Sequence, residues 1–228
     1  IIDKPELIHH IVLAKGGINN LIDGTLNPNG VDCINDFLPV SGDYTEIGIL
    51  GAWAPGMSPV DFGDDAGLLV QPDDYIAIQI HYYQSDSIPE DTSDQSGYAF
   101  QITTERPDNV VQIAPLGVFD FSIPPGEENH TESTTFQLPI DLKLWGVFPH
   151  MHVLGTGYEM SVGDQCLLQS DNYDFDNQLT YMYPEPIDIT ANEAIHFSCS
   201  WNNSTSNPNL IHNPPITTSY GERTDEEM

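Results

Sequence analysis

Positive charge is what this sequence has least of. Its 228 residues include 5 lysines and arginines against 35 aspartates and glutamates, which gives a formal net charge of −30 at pH 7. A surface this acidic repels phosphates, and so few cations cannot form a basic stripe, so we expect no nucleic-acid partner. The same charge disfavours binding to an anionic membrane surface. Since 39% of the residues are nevertheless hydrophobic, the composition favours a folded protein over a disordered one.

Long hydrophobic runs and cysteines are also scarce. No apolar run approaches the roughly 18 residues that a membrane-spanning helix needs, so we expect no membrane span. The most apolar stretch, residues 47–57, is interrupted by glycine and proline. The three cysteines, Cys33, Cys166 and Cys199, are an odd number. At least one thiol must therefore be free or paired with a residue outside this chain.

The hydrophobic periodicity of the chain is that of β-strands. Short apolar segments alternate with clusters of Gly, Pro, Asp, Asn and Ser, and no capped amphipathic segment is long enough to predict a helix. The predicted strands are residues 8–14, 75–82, 97–104, 110–119, 134–140, 142–147 and 194–202. In the last of these, Ile195, Phe197, Cys199 and Trp201 alternate with polar residues, which predicts that this set faces inward. We therefore predict an all-β fold, built as a sandwich or barrel.

A polar, proline-containing break at residues 105–109 predicts a boundary between two all-β domains. We place the N-terminal domain at residues 1–106 and the C-terminal domain at residues 107–228. Two acidic loops, residues 61–65 and 171–176, contain carboxylates that could ligate calcium. Neither has EF-hand spacing, so we interpret them as solvated loops.

Five of the eight histidines fall in three short contexts: His9-His10, His81, and the pair His150 and His152. On a strand, side chains two residues apart share a face, so His150 and His152 could converge on one metal ion. Adjacent His9 and His10 would face opposite ways on an ideal strand and could share an ion only through a twist, a bulge or the use of different ring nitrogens. His81 could equally be a buried, hydrogen-bonded core histidine. His130 and His212 lie in polar or Pro/Asn-rich loops and are interpreted as surface residues. His196 lies on the polar face of its predicted strand and is not expected to be a ligand.

Five sequence blocks occur in an order that matches a known family. They are residues 8–13 (IHHIVL), 52–56 (AWAPG), 79–82 (QIHY), 149–155 (PHMHVLG) and 225–228 (DEEM). With a Cys-x-aromatic-Asn pattern at residues 199–202, they make the chain resemble the copper type II, ascorbate-dependent monooxygenases, the family of peptidylglycine α-hydroxylating monooxygenase and dopamine β-monooxygenase. The resemblance extends over nearly the whole chain.

The resemblance implies two copper ions per chain, one in each domain. The site that takes electrons from ascorbate or an equivalent donor is matched by three histidines: His9, His10 and His81. The catalytic site, where dioxygen and a small-molecule substrate meet, is matched by two histidines and a methionine: His150, His152 and Met228. Gln79 matches a glutamine that supports the first site, although it could equally satisfy a buried backbone group.

The resemblance also implies two β-sandwich (jelly-roll-like) domains that face each other across a solvent-filled cleft. Relative to the family, the first domain would be truncated, without its opening strands, and the strand after Met228 would be missing. Cys199 matches a family cysteine whose disulfide partner immediately follows the methionine ligand. We interpret the −30 charge as a sign of a secreted or extracytoplasmic protein in a saline environment.

One departure from the family bears on the substrate. The peptide-processing branch has an arginine two residues before the first histidine of the His-x-His motif, where it binds the substrate carboxylate; here that residue is Phe148. A phenyl ring offers neither charge nor donor. We therefore expect an aromatic or apolar substrate, unless Arg223 supplies a cation from another direction. Phe148 could also point into the core and have no part in substrate binding.

These observations favour a copper monooxygenase that hydroxylates a C–H bond of a small organic substrate with O₂ and a one-electron reductant. The alternative is a non-catalytic copper-binding protein on the same fold. The strand pattern alone is also compatible with an acidic β-sandwich adhesion or carbohydrate-binding module. The sequence leaves the substrate, the reductant and the oligomeric state open.

Overall fold

The computed structural model describes residues 1–5, 7–16, 48–82, 89, 92–221 and 226–227. Throughout these residues the fold is all-β and contains no helix, as the sequence predicts. No helix in this part of the chain is therefore long and apolar enough to cross a membrane. The chain divides into two compact units, the first comprising Ile1–Pro55 and Asp61–Ala114, and the second comprising Gly56–Val60 and Pro115–Met228.

Thirteen strands are formed by the described residues. They are β1 (Ile8–Gly16), β2 (Gly48–Trp53), β3 (Ala66–Leu68), β4 (Tyr75–Tyr82), β5 (Asn109–Val111), β6 (Ser122–Ile123), β7 (Glu127–Gln137), β8 (Leu142–Val147), β9 (Gly155–Val162), β10 (Gln165–Ser170), β11 (Tyr181–Ile189), β12 (Ala194–Asn203) and β13 (Thr218–Ser219).

The first unit is organised around β1. This strand lies between β2 and β4 in an antiparallel three-stranded sheet, and β3 and β5 form a short parallel pair. A strand with neighbours on both sides needs apolar residues, and β1 supplies Ile8, Ile11 and Leu13, all buried. Trp53 and Ile80 from the flanking strands pack against the cluster that Ile8 and Ile11 form with Leu7. The core therefore lies directly beside the histidines at the start of β1.

The second unit contains a four-stranded antiparallel sheet in the order β10-β9-β12-β7, with two-stranded ladders β11-β8 and β13-β6. One core cluster joins residues of the four-stranded sheet, such as Val162 and Ile195, to Ile189 of β11. A second cluster surrounds Trp201, which is 1% exposed and stacks on Phe121 with ring centroids 4.9 Å apart. The predicted inward set on β12 is confirmed, since Ile195, Cys199 and Trp201 are buried and His196 on the other face is exposed.

Four of the predicted strands are confirmed, namely those at residues 8–14, 75–82, 142–147 and 194–202. The strand predicted at 97–104 is wrong: no residue of this segment is in a strand, Gly97 exchanges two backbone hydrogen bonds with Ile1, and Ile102 is 89% exposed. Of the strand predicted at 110–119, the structure keeps β5 and an isolated antiparallel bridge between Ile113 and Ile49. Pro115 has no backbone N–H with which to continue the pairing beyond this bridge. The strand predicted at 134–140 ends at Gln137, just before Pro139, and extends back to Glu127, so His130 lies on a strand and not in a loop.

Candidate metal centres

A β-bulge places three histidines of the first unit side by side. In the ladder of β1 and β4, Ile8 pairs with Tyr82 and His10 pairs with His81, so His9 is an additional residue on β1. A bulge bends the strand locally and changes the direction of a side chain. This is one of the distortions that adjacent histidines on a strand need in order to approach a common ion.

The three imidazoles form a compact triangle. Their ring centroids are 4.9 Å apart for His9 and His10, 5.1 Å for His9 and His81, and 4.8 Å for His10 and His81. The Nδ1 atoms of His9 and His10 are 2.8 Å apart, and one ring nitrogen from each histidine lies within 4.8 Å of the other two. With metal–nitrogen bonds of about 2.1 Å, three donors spaced evenly around one ion are about 3.6 Å apart. The triangle therefore fits an ion if its longest nitrogen–nitrogen distance closes by up to about 1.2 Å.

Burial favours the neutral, metal-binding form of His81. Desolvation lowers the pKa of His81 below its ordinary value of 6.5. Because only the neutral imidazole can bind a metal, a lowered pKa enlarges the binding-competent fraction at neutral pH. Gln79 pairs with Val12 and lies two residues before His81, on the same face of β4. Its expected role in supporting this site stays a prediction.

The second pair of predicted ligands, His150 and His152, lies in the loop that joins β8 to β9. We expected a strand to place these histidines on one face, but β8 ends at Val147. Pro149 has no backbone N–H with which to continue a ladder, which accounts for this ending. The two rings nevertheless lie close together, with centroids 5.3 Å apart and planes at 87°.

Gln178 fixes the ring of His150. Its Oε1 lies 2.7 Å from Nδ1 of His150, and its Nε2 donates to the backbone oxygen of Phe175 at 2.9 Å. The second bond orients the amide, so its oxygen faces His150 and the Nδ1 of His150 must carry the proton. Nε2 of His150 then has the lone pair that a metal requires. Burial lowers the pKa of His150, and the hydrogen bond that His150 donates to Gln178 only partly offsets this.

A backbone carbonyl fixes His152 in the same tautomer. The Nδ1–H of His152 donates to the oxygen of Glu226 at 3.0 Å, and the residue is 1% exposed. A histidine that donates one ring N–H to a carbonyl or amide oxygen and presents the other nitrogen is typical of metal sites. Met228, the third predicted ligand, lies outside the described residues.

The backbone of this loop is held just as closely. The hydroxyl of Tyr173 accepts from the Met151 N–H at 3.1 Å and donates to the Met151 carbonyl at 2.6 Å, while the Met151 side chain is fully buried in the core. Gly155 closes the loop by donating to the oxygen of His152 at 3.1 Å. A Cβ on Gly155 would lie 2.9 Å from both Met151 Cβ and Tyr173 Cδ1. Any side chain at position 155 would therefore displace the loop.

Phe148 lies beside the second pair of histidines. Its ring centroid is 6.0 Å from that of His150, and the two rings are nearly parallel, at 28°. The half-buried phenyl ring is thus on the side of the chain where we expected a substrate-facing residue. Arg223, the cation that could bind a carboxylate in its place, lies outside the described residues.

Within the described ranges, the triangle of His9, His10 and His81 is the one set of three His, Cys, Asp or Glu side chains close enough for a common ion. The interpretation of both acidic loops as solvated stays a prediction. No disulfide joins the two described cysteines: Cys166 is exposed and Cys199 is buried, and burial raises the pKa of the Cys199 thiol to about 12. Cys33 is not among the described residues.

Sequence reasoning missed three residues that support the second pair: Gln178, Tyr173 and Glu227. Gln178 is 28 residues from His150 and lies in a polar loop, so no spacing or periodicity pointed to it. The signal for Glu227 was its place immediately before Met228. No protein-family model and no curated protein matches the chain.

Proposed function

We propose that this protein is a copper-dependent monooxygenase that hydroxylates a C–H bond of a small organic substrate, using dioxygen and a one-electron reductant such as ascorbate. The observation that carries the proposal is the presence of one histidine cluster in each unit. Three imidazoles converge in the first unit, and two imidazoles in the second have their Nδ1 atoms bonded to acceptors. The sequence order of these histidines and Met228 is that of the copper type II family that the chain resembles.

The donor types favour copper over zinc. Imidazole binds copper in both oxidation states, so the site of His9, His10 and His81 suits an ion that cycles between them. A thioether is a soft donor that favours Cu(I), so a site of His150, His152 and Met228 suits the reduced ion. Zinc is the usual competitor for three histidines, but its sites are built from Cys, His, Asp and Glu, not from methionine.

Bound copper would supply the one-electron chemistry by which dioxygen inserts one oxygen atom into a C–H bond. The reaction balances when the second oxygen atom leaves as water and the reductant provides two electrons, with two protons taken up. The protein's own groups prepare the site. Gln178 and the Glu226 carbonyl hold the tautomers of His150 and His152, and the phenyl ring of Phe148 offers an apolar contact to a substrate.

We also propose the finer architecture of the family, a β-sandwich in each unit. In the second unit this is supported by the core cluster that joins β11 to the four-stranded sheet through Ile189, Val162 and Ile195. The phenyl ring at position 148 supports an aromatic or apolar substrate and not a peptide held by its terminal carboxylate.

The test is turnover with isotopically labelled dioxygen. Protein loaded with copper and supplied with ascorbate and ¹⁸O₂ is incubated with phenylethylamine-like compounds and, separately, with glycine-extended peptides at the same concentration. We expect one ¹⁸O atom in a hydroxylated aromatic product, no product from His152→Ala, and normal turnover from His196→Ala, which changes an exposed histidine on β12. Copper-loaded protein that oxidises ascorbate but hydroxylates no compound of either class would contradict the enzyme and favour the non-catalytic copper-binding protein.

A further inference from the structure

Glu227 is a fully buried carboxylate that bonds to the His-x-His loop. It is 0% exposed. Its Oε2 accepts from the backbone N–H of His152 at 3.1 Å, and its Oε1 accepts from the N–H of Leu154 at 2.7 Å. A buried carboxylate is costly unless hydrogen bonds compensate it, and these two bonds join both of its oxygens to one short loop.

The backbone of Glu227 is fixed separately. Its N–H donates to the oxygen of Ser219 at 3.1 Å, and its carbonyl accepts from the N–H of Gly221 at 2.9 Å. A parallel bridge with Tyr220 results, directly after β13, which is itself paired with β6. The side chain of Glu227 thus links two elements that are distant in sequence, the segment after β13 and the loop after β8.

The neighbouring residue adds a third bond between the same two elements. The Glu226 carbonyl accepts from the Nδ1–H of His152, so His152 is held through both its ring and its backbone. The negative charge of Glu227 also acts on Cys199: it is the second cause, smaller than burial, of the raised pKa of that thiol. Loop and segment therefore form one hydrogen-bonded unit, and that segment leads directly to Met228.

We propose that Glu227 is a positioning residue that fixes the His-x-His loop against the chain segment carrying Met228, so that the two histidines and the methionine form one copper site. The inference deepens the proposed function and rests on it for the identity of the metal. The positioning itself is a property of the metal-free protein. It can therefore be tested whether or not copper binds.

The first test is amide hydrogen exchange of the full, metal-free chain. In Glu227→Gln the side chain keeps its size, but its NH₂ group must face one of the two backbone N–H donors. We expect the amide of His152 or Leu154 to exchange at least about tenfold faster than in the wild type. Amides of β12 should be unchanged, as should all amides in Glu159→Gln, which removes the same charge from an exposed position on β9. Wild-type protection at both loop amides in Glu227→Gln would overturn the proposal.

The second test is copper affinity, with the three-histidine site as an internal reference. We expect Glu227→Gln to weaken the site of His150 and His152 by about 10- to 100-fold and to leave the three-histidine site unchanged. Equal loss at both sites, or at neither, would contradict a positioning role. If Glu227→Gln does not fold, Glu227→Asp keeps the charge but is one methylene shorter, and we expect it to free one loop amide. A wild type that binds no second copper would overturn the proposed function, while exchange at the loop amides would still decide the role of Glu227.

Discussion

Replacing Gln178 tests how the second pair of histidines is prepared for a metal. The side chain is 2% exposed and makes two hydrogen bonds, one to His150 at 2.7 Å and one to the Phe175 carbonyl at 2.9 Å. Gln178→Leu keeps a side chain of similar size and removes both bonds. Gln178→Glu keeps an acceptor for His150 but removes the donor to Phe175. The two variants therefore separate the role in the metal site from the role in the fold.

The structure sets the size of each effect. A buried polar group that loses its hydrogen bond costs about 1–3 kcal/mol. Gln178→Leu removes the bonds of two such groups, the Nδ1–H of His150 and the Phe175 carbonyl, so the free energy of unfolding should fall by at most about 6 kcal/mol. Loss of an outer hydrogen bond to a metal-binding histidine lowers metal affinity by about 10- to 100-fold. Gln178→Glu should lose stability through the Phe175 carbonyl, but it should keep wild-type copper affinity because the acceptor at His150 remains.

The assay is a competition titration of Cu(I) against a chelator, combined with chemical denaturation of the metal-free proteins. The three-histidine site in the same chain reports whether a variant has lost metal binding in general. If Gln178→Leu binds copper at the second site as tightly as the wild type, Gln178 does not prepare His150 for the metal. If Gln178→Leu and Gln178→Glu lose the same amount of copper affinity, the acceptor at His150 is irrelevant to metal binding.

Four further predictions concern the loop, the histidines, the methionine and the surface charge. Gly155→Ala should lower the free energy of unfolding by about 1–3 kcal/mol because its Cβ has no room, whereas Gly97→Ala, with open space around it, should be neutral in the same denaturation assay. Burial lowers the folded-state pKa of His81 and His150, so below their ordinary pKa of 6.5 the unfolded chain binds more protons than the folded chain. The free energy of unfolding of the metal-free protein should therefore be highest above pH 6.5 and should fall as the pH falls toward the folded-state pKa values. Denaturation at a series of pH values should show a smaller dependence of this free energy on pH in His81→Gln. X-ray absorption of the Cu(I) protein should show a sulfur scatterer at about 2.3 Å that Met228→Ile removes, and its persistence would exclude Met228 as the ligand. Thermal melts from about 0.02 to 2 M salt should show rising stability, because screening reduces repulsion among the 35 carboxylates, and a flat response would assign the acidity another purpose.

Strands with a clear pattern could be predicted from the sequence, and strands whose partners determine them could not. β12 alternates apolar and polar residues, so its buried face was predictable. Most of β7 is polar, with the sequence EENHTESTTFQ, and it forms because it pairs with β12 along nearly its whole length at the edge of the sheet. The opposite error at residues 97–104 has the same cause, since this apolar segment pairs with no strand among the described residues and therefore joins no ladder.

The histidine sites could likewise be predicted only in part from the sequence. The residue types and their order in the chain indicated which side chains to examine, and the adjacent pair His9-His10 implied a local distortion of the strand. The bulge that brings His9 and His10 to His81 depends on the pairing of β1 with β4, which no local pattern encodes. Gln178 was beyond prediction because a single buried hydrogen bond to His150, formed across a loop, leaves no periodicity in the sequence.

We propose that this chain binds two copper ions at separate sites, and the copper content of purified variants distinguishes the two sites. After copper loading and dialysis against a weak chelator, the wild type should retain two copper ions per chain, while His10→Ala and His152→Ala should each retain one. His196→Ala, which changes a histidine outside both sites, should retain two. A wild type that holds fewer than two ions, or a loss of both ions in either single variant, would contradict the account.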